Sequence, residues 1–385
     1  MKKFLDCISI VGATPSKFHG TKKYISTGAV ATTEIDESEV VEVTYDEDRP
    51  SRANLSAEAG DILFAKMQGT RKTLLLDSET EKNIYSTGFY AVRANPEVIT
   101  TECLYYLIDS ELFLAQKDKN CSGATQKAIT NGGMAKIEIS VPPLSEQGIL
   151  VDKLKHLTQL IADKKKQLNL FDEIIKSRFI EMFGDPKLNP RKWDMVTIGD
   201  IATDVRYGTS RPATEGGKYP YLRMNNLTYE GHLDLTDLKH IDIPDNEIEK
   251  CVVRNGDVLF NRTNSVELVG KTCVYNLDSD MIIAGYIIRV RIDDRVLPVI
   301  LSSYLNSTVM KEQLRSMAKG AVNQANINAQ ELRSISIYLP PITLQHEFAT
   351  FVEQVDKSKF YIVQMQILLR LLIRAIQQKT TEVLL

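Results

Sequence analysis

The sequence predicts an α+β chain in which two similar mixed α/β domains are separated by two long helices that pair as a coiled coil, with an internal pseudo-two-fold repeat. Three observations carry this expectation. Two stretches, VPPLSEQGILVDKLKHLTQLIADKKKQLNLFDEIIKSRFIEMFGD from Val141 and LPPITLQHEFATFVEQVDKSKFYIVQMQILLRLLIRAIQQK from Leu339, open on a proline pair and continue with apolar residues three and four apart. They are in register, with Pro142, Pro143 and Gln147 answering Pro340, Pro341 and Gln345. Ahead of each lies the same short string, Gly60-Asp61-Ile62-Leu63-Phe64 and Gly256-Asp257-Val258-Leu259-Phe260. A repeat on this scale implies two copies of one structural unit. The expected divisions are 1–144 for the first domain, 145–184 for the central helix, 185–341 for the second domain and 342–385 for the C-terminal helix.

Within the first domain, Lys22-Lys23-Tyr24-Ile25 leads through an acidic stretch to the Gly60 turn and a buried strand ending near Lys66. Residues 101–114 carry Leu104, Leu107, Ile108 and Phe113 at helical spacing. A small-residue loop, Gly123-Ala124-Thr125-Gln126-Lys127-Ala128-Ile129, precedes an alternating strand at 137–141 that feeds the first long helix. Proline suits the approach to a helix because the first amides have no partner there, and Ser145 and Thr343 are candidate N-caps. The first seam is Leu150, Leu154, Leu157, Ile161, Leu168, Phe171 and Ile175, with Lys164 as its gap. The second is Phe348, Phe351, Val355, Ile362, Met365, Leu369, Leu372 and Ile376, with Ser358 as its gap. Each helix, about 50 Å long, could pack on its own domain as an ordinary amphipathic helix. Their duplication favours pairing with each other. Phe183-Gly184-Asp185-Pro186 ends the first helix, and from Pro190 and Trp193 the second domain repeats the order of parts. It has a helix over 301–317, a small-residue loop over 320–327 and a closing strand over 335–339. Residues 21–58 and 205–254, which precede the shared strand, have almost nothing in common.

A chain of 385 residues has room for two or three cores. Cys7, Cys103, Cys121, Cys251 and Cys273 have no paired spacing, which argues against a disulfide framework and a zinc site and for a reducing compartment. The opening MKKFLDCISIVG is too short and polar for a signal peptide, and no continuous run approaches the apolar length of a membrane span. A cytoplasmic protein with no membrane partner is expected. The net charge of −3 does not exclude nucleic acid, because Glu34, Asp36, Glu37, Glu39, Glu42, Asp46, Glu47 and Asp48 concentrate negative charge in one stretch, read as a solvated loop or edge.

Covalent chemistry finds no support. Lys271-Thr272 after Gly270 ends like a Walker A loop, but the first glycine would fall on Ser265. Asp237-Leu238-Lys239 and Asp163-Lys164-Lys165 have the form of a nuclease triplet that charged chains contain by chance. The proline pairs are flanked by apolar residues, unlike the polar residue that precedes Pro-Pro in DNA amino-methyltransferases. No catalytic or metal-ligating set is expected.

Side chains suited to DNA recur instead in matched places. After the shared strand come Lys66, Gln68, Arg71 and Lys72 in one half and Asn261, Arg262, Asn264 and Lys271 in the other. Ahead of it the second half adds Arg206, Tyr207, Thr209, Arg211, Arg223, Asn225 and Asn226. The small-residue loops supply Thr125, Gln126 and Lys127, then Asn323, Gln324 and Asn326. Arg and Lys can engage guanine O6/N7, Asn and Gln adenine N6/N7, and the others phosphates. Polar loops are commonly just solvated, so recurrence at equivalent positions is what gives these residues weight.

With two divergent recognition regions, two similar helical regions, the repeated G-D-[IV]-L-F, the G-A-T-Q-K-A-I loop and a proline pair with glutamine opening each helix, the chain resembles the specificity subunits of type I restriction-modification systems. The resemblance covers nearly the whole sequence. It implies a non-catalytic subunit that binds double-stranded DNA, each recognition domain reading half of a split site. It further implies that the paired helices act as a ruler and dock two modification subunits, through which restriction subunits join. S-adenosylmethionine, ATP and magnesium would belong to those partners, and the chain itself would hold no cofactor. One departure is the short opening, which lacks an obvious counterpart of the Trp193 segment. The alternatives are a self-contained DNA methyltransferase or nuclease, and a scaffold that binds no DNA.

Overall fold

The structure, a computed structural model, describes residues 1–318 and 325–382. Its contacts divide the chain into two units, Met1–Lys165 with Val363–Leu385, and Lys166–Ile362. Each unit therefore joins one recognition domain to one half of each long helix.

In unit 1 one four-stranded antiparallel sheet runs in the order Ile8–Val11, Phe89–Ala94, Ile62–Ala65, Thr73–Leu75. A second runs Val41–Val43, Lys22–Ile25, Ile84–Ser86, Ala53–Leu55, with its middle two strands parallel. Unit 2 repeats both. Ala202–Tyr207, Ile287–Ile292, Val258–Asn261 and Thr272–Val274 form the first sheet. Lys239–Ile241, Tyr219–Leu222, Met281–Ile283 and Val252–Val253 form the second, again with a parallel middle pair. The inserts that share almost no sequence thus supply equivalent strands. Backbone hydrogen bonding tolerates any side chain that respects the alternation of buried and exposed positions, so topology outlasts identity. The acidic stretch of unit 1 lies on the surface and includes the edge strand Val41–Val43.

The short opening does have a counterpart of the Trp193 segment. Lys2–Lys3 pairs antiparallel with Glu138–Ile139, as Asp194–Thr197 pairs with Ser336–Leu339. Expected single helices are split in two, as Thr101–Ile108 and Glu111–Lys119 in unit 1 and Pro298–Asn306 and Thr308–Met317 in unit 2. The breaks fall at Ser110 and Ser307, whose hydroxyls accept from the amides of Phe113 and Met310. A serine that can cap a new helix competes with continuation of the old one.

The central helix spans Leu144–Phe183 and the C-terminal helix Ile342–Glu382, each about 60 Å long. Both start one residue earlier than the expected caps, so Ser145 and Thr343 lie in the first turn. The carbonyls of Pro143 and Pro341 take the first helical amides, Glu146 and Leu344. Both glutamines of the shared motif are wholly buried. Gln147 accepts from the Thr100 amide and donates to the carbonyls of Val98 and Pro142. Gln345 repeats this with the Leu297 amide and the carbonyls of Arg295 and Pro340. Each ties a long helix to the chain entering a short one, Thr101–Ile108 in unit 1 and Pro298–Asn306 in unit 2.

The helices pair antiparallel within each unit. In unit 1 Leu150 and Leu154 pack in one core with Ile373 and Ile376. Leu157 is buried, and the Gln366 amide donates to the Ile161 carbonyl. In unit 2 Phe179 and Phe183 each place a ring 5.5 Å from that of Phe348. Val355 and Ile362 are buried, Leu168, Phe171 and Ile175 partly so, as is Leu369 in unit 1. The second seam departs from expectation at Met365 and Leu372, which are exposed while Gln366 is buried and Ile373 partly buried. Its polar position is Lys359 rather than Ser358, and Lys359 meets Asp172 at 2.6 Å. By length and composition Ile342–Gln378 is apolar enough to cross a membrane, which a count of consecutive apolar residues misses.

Candidate nucleic-acid interface

In both units the shared string builds a rigid base. Gly60 and Gly256 take φ of 87° and 91°, which a side chain rarely adopts. The following aspartates turn inward. Asp61 accepts from the Glu58 amide and is gripped by Arg93 through two hydrogen bonds, while Asp257 does the same with the Arg254 amide and Arg291. The strands Ile62–Ala65 and Val258–Asn261 are buried along their whole length, so the hairpin that each opens is anchored at its base.

The small-residue loop lies against this hairpin. In unit 1 the Ile129 amide donates to the Lys66 carbonyl and the Gln68 amide to the Lys127 carbonyl. In unit 2 the Ile327 amide donates to the Arg262 carbonyl, and Thr263–Asn264 pairs with Ala325–Asn326. Two segments about sixty residues apart in sequence thus form one platform in each unit.

On the unit 1 platform the Lys66 ammonium stands 4.3 Å from the centre of the Tyr90 ring and donates to the Thr87 carbonyl, and burial lowers its pKa. Gln68, Thr125, Gln126 and Lys127 are exposed. Arg71 is engaged by Asp109 through bonds of 3.1 and 2.8 Å, and the Lys72 ammonium donates to the Thr27 carbonyl. Burial pushes the Asp109 carboxyl up against the pull of Arg71.

On the unit 2 platform the Arg262 guanidinium lies 4.8 Å from the centre of the exposed Tyr207 ring, and its Nε has no partner. The Tyr207 hydroxyl accepts from the Ala329 amide, which fixes the ring. Asn264 donates to the Asn261 side chain, and Asn326 accepts from the Thr263 hydroxyl. Arg206, Arg211 and Arg223 are paired with Asp204, Glu247 and Asp237. Asn225 is exposed, whereas Lys271 is buried. Asn323 and Gln324 lie outside the described residues.

Three of the expected side chains are engaged within the fold. Asn226 is buried, taking the Arg223 amide and donating to the Asp234 carbonyl. Asn261 is wholly buried and donates to the carbonyls of Thr263 and Tyr286. Thr209 is buried and caps the Arg211 amide. Amide and hydroxyl side chains serve turns as readily as bases, and sequence does not separate the two. Residues that sequence reasoning passed over include Lys117 and Lys311, buried lysines that donate to hairpin carbonyls. On a charged helix they read as surface residues.

Comparison with known proteins decides the family. Residues 11–170 and 190–371 match the type I restriction modification DNA specificity domain. The chain belongs to that family. Its function is DNA recognition in a type I restriction-modification system. Among related specificity subunits, that of the type I restriction enzyme EcoKI of Escherichia coli K12 is 25% identical over 313 residues, 76% of this chain and 67% of that protein. A putative MjaX specificity subunit of Methanocaldococcus jannaschii is 29% identical over 171 residues, 43% of this chain and 40% of its own length. A structure described in terms of complex assembly and conformational transition of the type I R-M system shares the fold, with a TM-score of 0.54, 22% identity and 97% of each chain covered. The two family matches fall one on each repeat.

Proposed function

We propose that each recognition domain reads one half of a bipartite DNA site through its hairpin and small-residue loop. The carrying observation is that one platform is built twice and carries different side chains, Lys66, Gln68, Gln126 and Lys127 in unit 1 and Tyr207, Arg262, Asn264 and Asn326 in unit 2. Different donors and acceptors on equal frames select different bases. The paired helices set the unread gap. The chain is non-catalytic and works in the cytoplasm, with S-adenosylmethionine, ATP and magnesium held by its partners. Two modification subunits dock on the helices and link the restriction subunits. In support, Val363, Met365, Ile367, Leu368, Leu371 and Leu372 are each at least 40% exposed, more apolar surface than a helix normally leaves to water.

Selection from a randomised duplex pool by the full chain assembled with its modification subunits tests this. Two short determinants separated by a fixed, unselected gap are expected. A single contiguous motif, or no enrichment, contradicts it.

A further inference from the structure

Three cations meet at the loop end of the unit 2 hairpin. Lys311, on the helix Thr308–Met317, is 4% exposed; its ammonium donates to the Gly270 carbonyl at 2.9 Å and stands 4.9 Å from the centre of the Tyr229 ring. Lys271, which enters the returning strand Thr272–Val274 of the hairpin, is 8% exposed; its carbonyl accepts from the Asn261 amide, and its ammonium has no hydrogen bond or ion pair among the described residues. Arg315, one turn beyond Lys311, donates to the Tyr229 hydroxyl at 2.7 Å. Gly231 holds the turn bearing Tyr229 and Glu230 in place. Its φ is +94°, and a Cβ there would come within 2.5 Å of the Asn306 side chain and 2.9 Å of the Thr272 carbonyl.

The charges acting on Lys311 are Lys271 from the hairpin, Arg315 from its own helix, Glu230 from the turn and Lys176 from the central helix. Lys176 is already paired with Glu173, and Glu230 is exposed. Burial first, then Lys271 and Arg315, push Lys311 down to about 7. Unit 1 handles the same place differently. There Lys117 donates to the hairpin carbonyls of Met67 and Thr70 at 2.6 and 3.2 Å, and Asp118 lies 3.0 Å from its ammonium. The unit 2 cluster has no such contacting carboxylate among the described residues. Two lysines stripped of most of their water beside a third cation favour an anion.

We propose that Lys271, Lys311 and Arg315 form an anion site that takes one backbone phosphate of duplex DNA. Lys271 and Arg315 are the direct donors, and Lys311 is the charge behind them. The site rests on the DNA-reading function proposed above and adds to it a sequence-independent anchor beside the hairpin. A phosphate there favours the charged form of Lys311, so binding takes up a proton above about pH 7, and affinity falls as pH rises.

A fluorescent mixed-sequence duplex is the suitable probe, because a phosphate contact weakens all sequences alike. Binding by the full chain is measured against salt, and against pH from about 7 to 9, above the ordinary range of histidine. Lys271→Ala is expected to lower affinity and reduce the salt slope by about one. Lys311→Arg is expected to keep the salt slope and remove the fall in affinity with pH. A wild-type salt slope in Lys271→Ala, or an unchanged pH profile in Lys311→Arg, overturns the site. So does a Lys271→Ala chain that binds DNA normally but assembles poorly with modification subunits, which would place an acidic protein segment there. If the wild-type chain binds no duplex, the DNA-reading function falls and the site with it.

Discussion

Arg262 and Arg71 follow the same buried strand, yet their surroundings give them different work. Arg262 rests on the Tyr207 ring with its Nε unpaired and one long contact, 3.5 Å, to the Gly285 carbonyl, whereas Arg71 commits its Nε and one Nη to Asp109. Arg262→Ala is therefore expected to cost about 1–3 kcal/mol of binding and to relax one position of one half-site. Arg71→Ala should leave the DNA affinity nearly unchanged and lower unit 1 stability. Titrations of cognate and single-base-variant duplexes with both variants check this, and a base-specific loss in Arg71→Ala with none in Arg262→Ala would reverse the assignment. Single side chains were the least legible level of the sequence. Asn226 and Asn261 carry base-reading chemistry but are spent on turns and carbonyls, and Lys311 looks like helix surface but is buried. Which way a side chain faces depends on packing from distant segments.

Among the elements, the two buried glutamines allow a matched test. Gln147→Ala and Gln345→Ala each remove one acceptor and two donor contacts, leaving buried backbone groups without partners, at about 1–3 kcal/mol per stranded group. Hydrogen exchange should show faster opening confined to unit 1 for the first and to unit 2 for the second, and equal loosening of both units would contradict the local clamp. In the seam of unit 2 Lys359 bridges the helices to Asp172, with Asp356 of its own helix at 3.5 Å, and His232 reaches the same Asp172 oxygen at 2.8 Å. Burial pulls the Asp172 pKa upward, but the hydrogen bonds from His232 and Lys359 outweigh it and hold the carboxyl below its ordinary range. A folded-state pKa below the unfolded one contributes stability that is present above the unfolded value and lost as pH falls through the folded one. Lys359→Met should cost about 1–3 kcal/mol at neutral pH, less than for a fully buried pair, and the deficit should shrink on acidification below about pH 4. A deficit independent of pH would assign the loss to packing. The helices themselves were legible because a three-four spacing admits few other structures. The exposed Met365 and Leu372 were not, since apolar residues surround much of the C-terminal helix and periodicity alone does not choose among its faces.

For the whole molecule, duplication carried most of what the sequence disclosed. Motifs kept in order at constant spacing announced two copies of one unit, and the two family matches fall on those copies. Hidden from the sequence was that the divergent inserts form the same sheet in the same strand order, because strand pairing constrains the alternation of burial rather than residue identity. Equal frames with unequal side chains make a modular reader, and exchange of one frame tests that directly. Replacing residues 205–338 with the equivalent region of a relative of different specificity, then selecting duplexes with the assembled complex, should change one half-site and leave the other half-site and the gap as they were. A change in both half-sites at once would contradict the account.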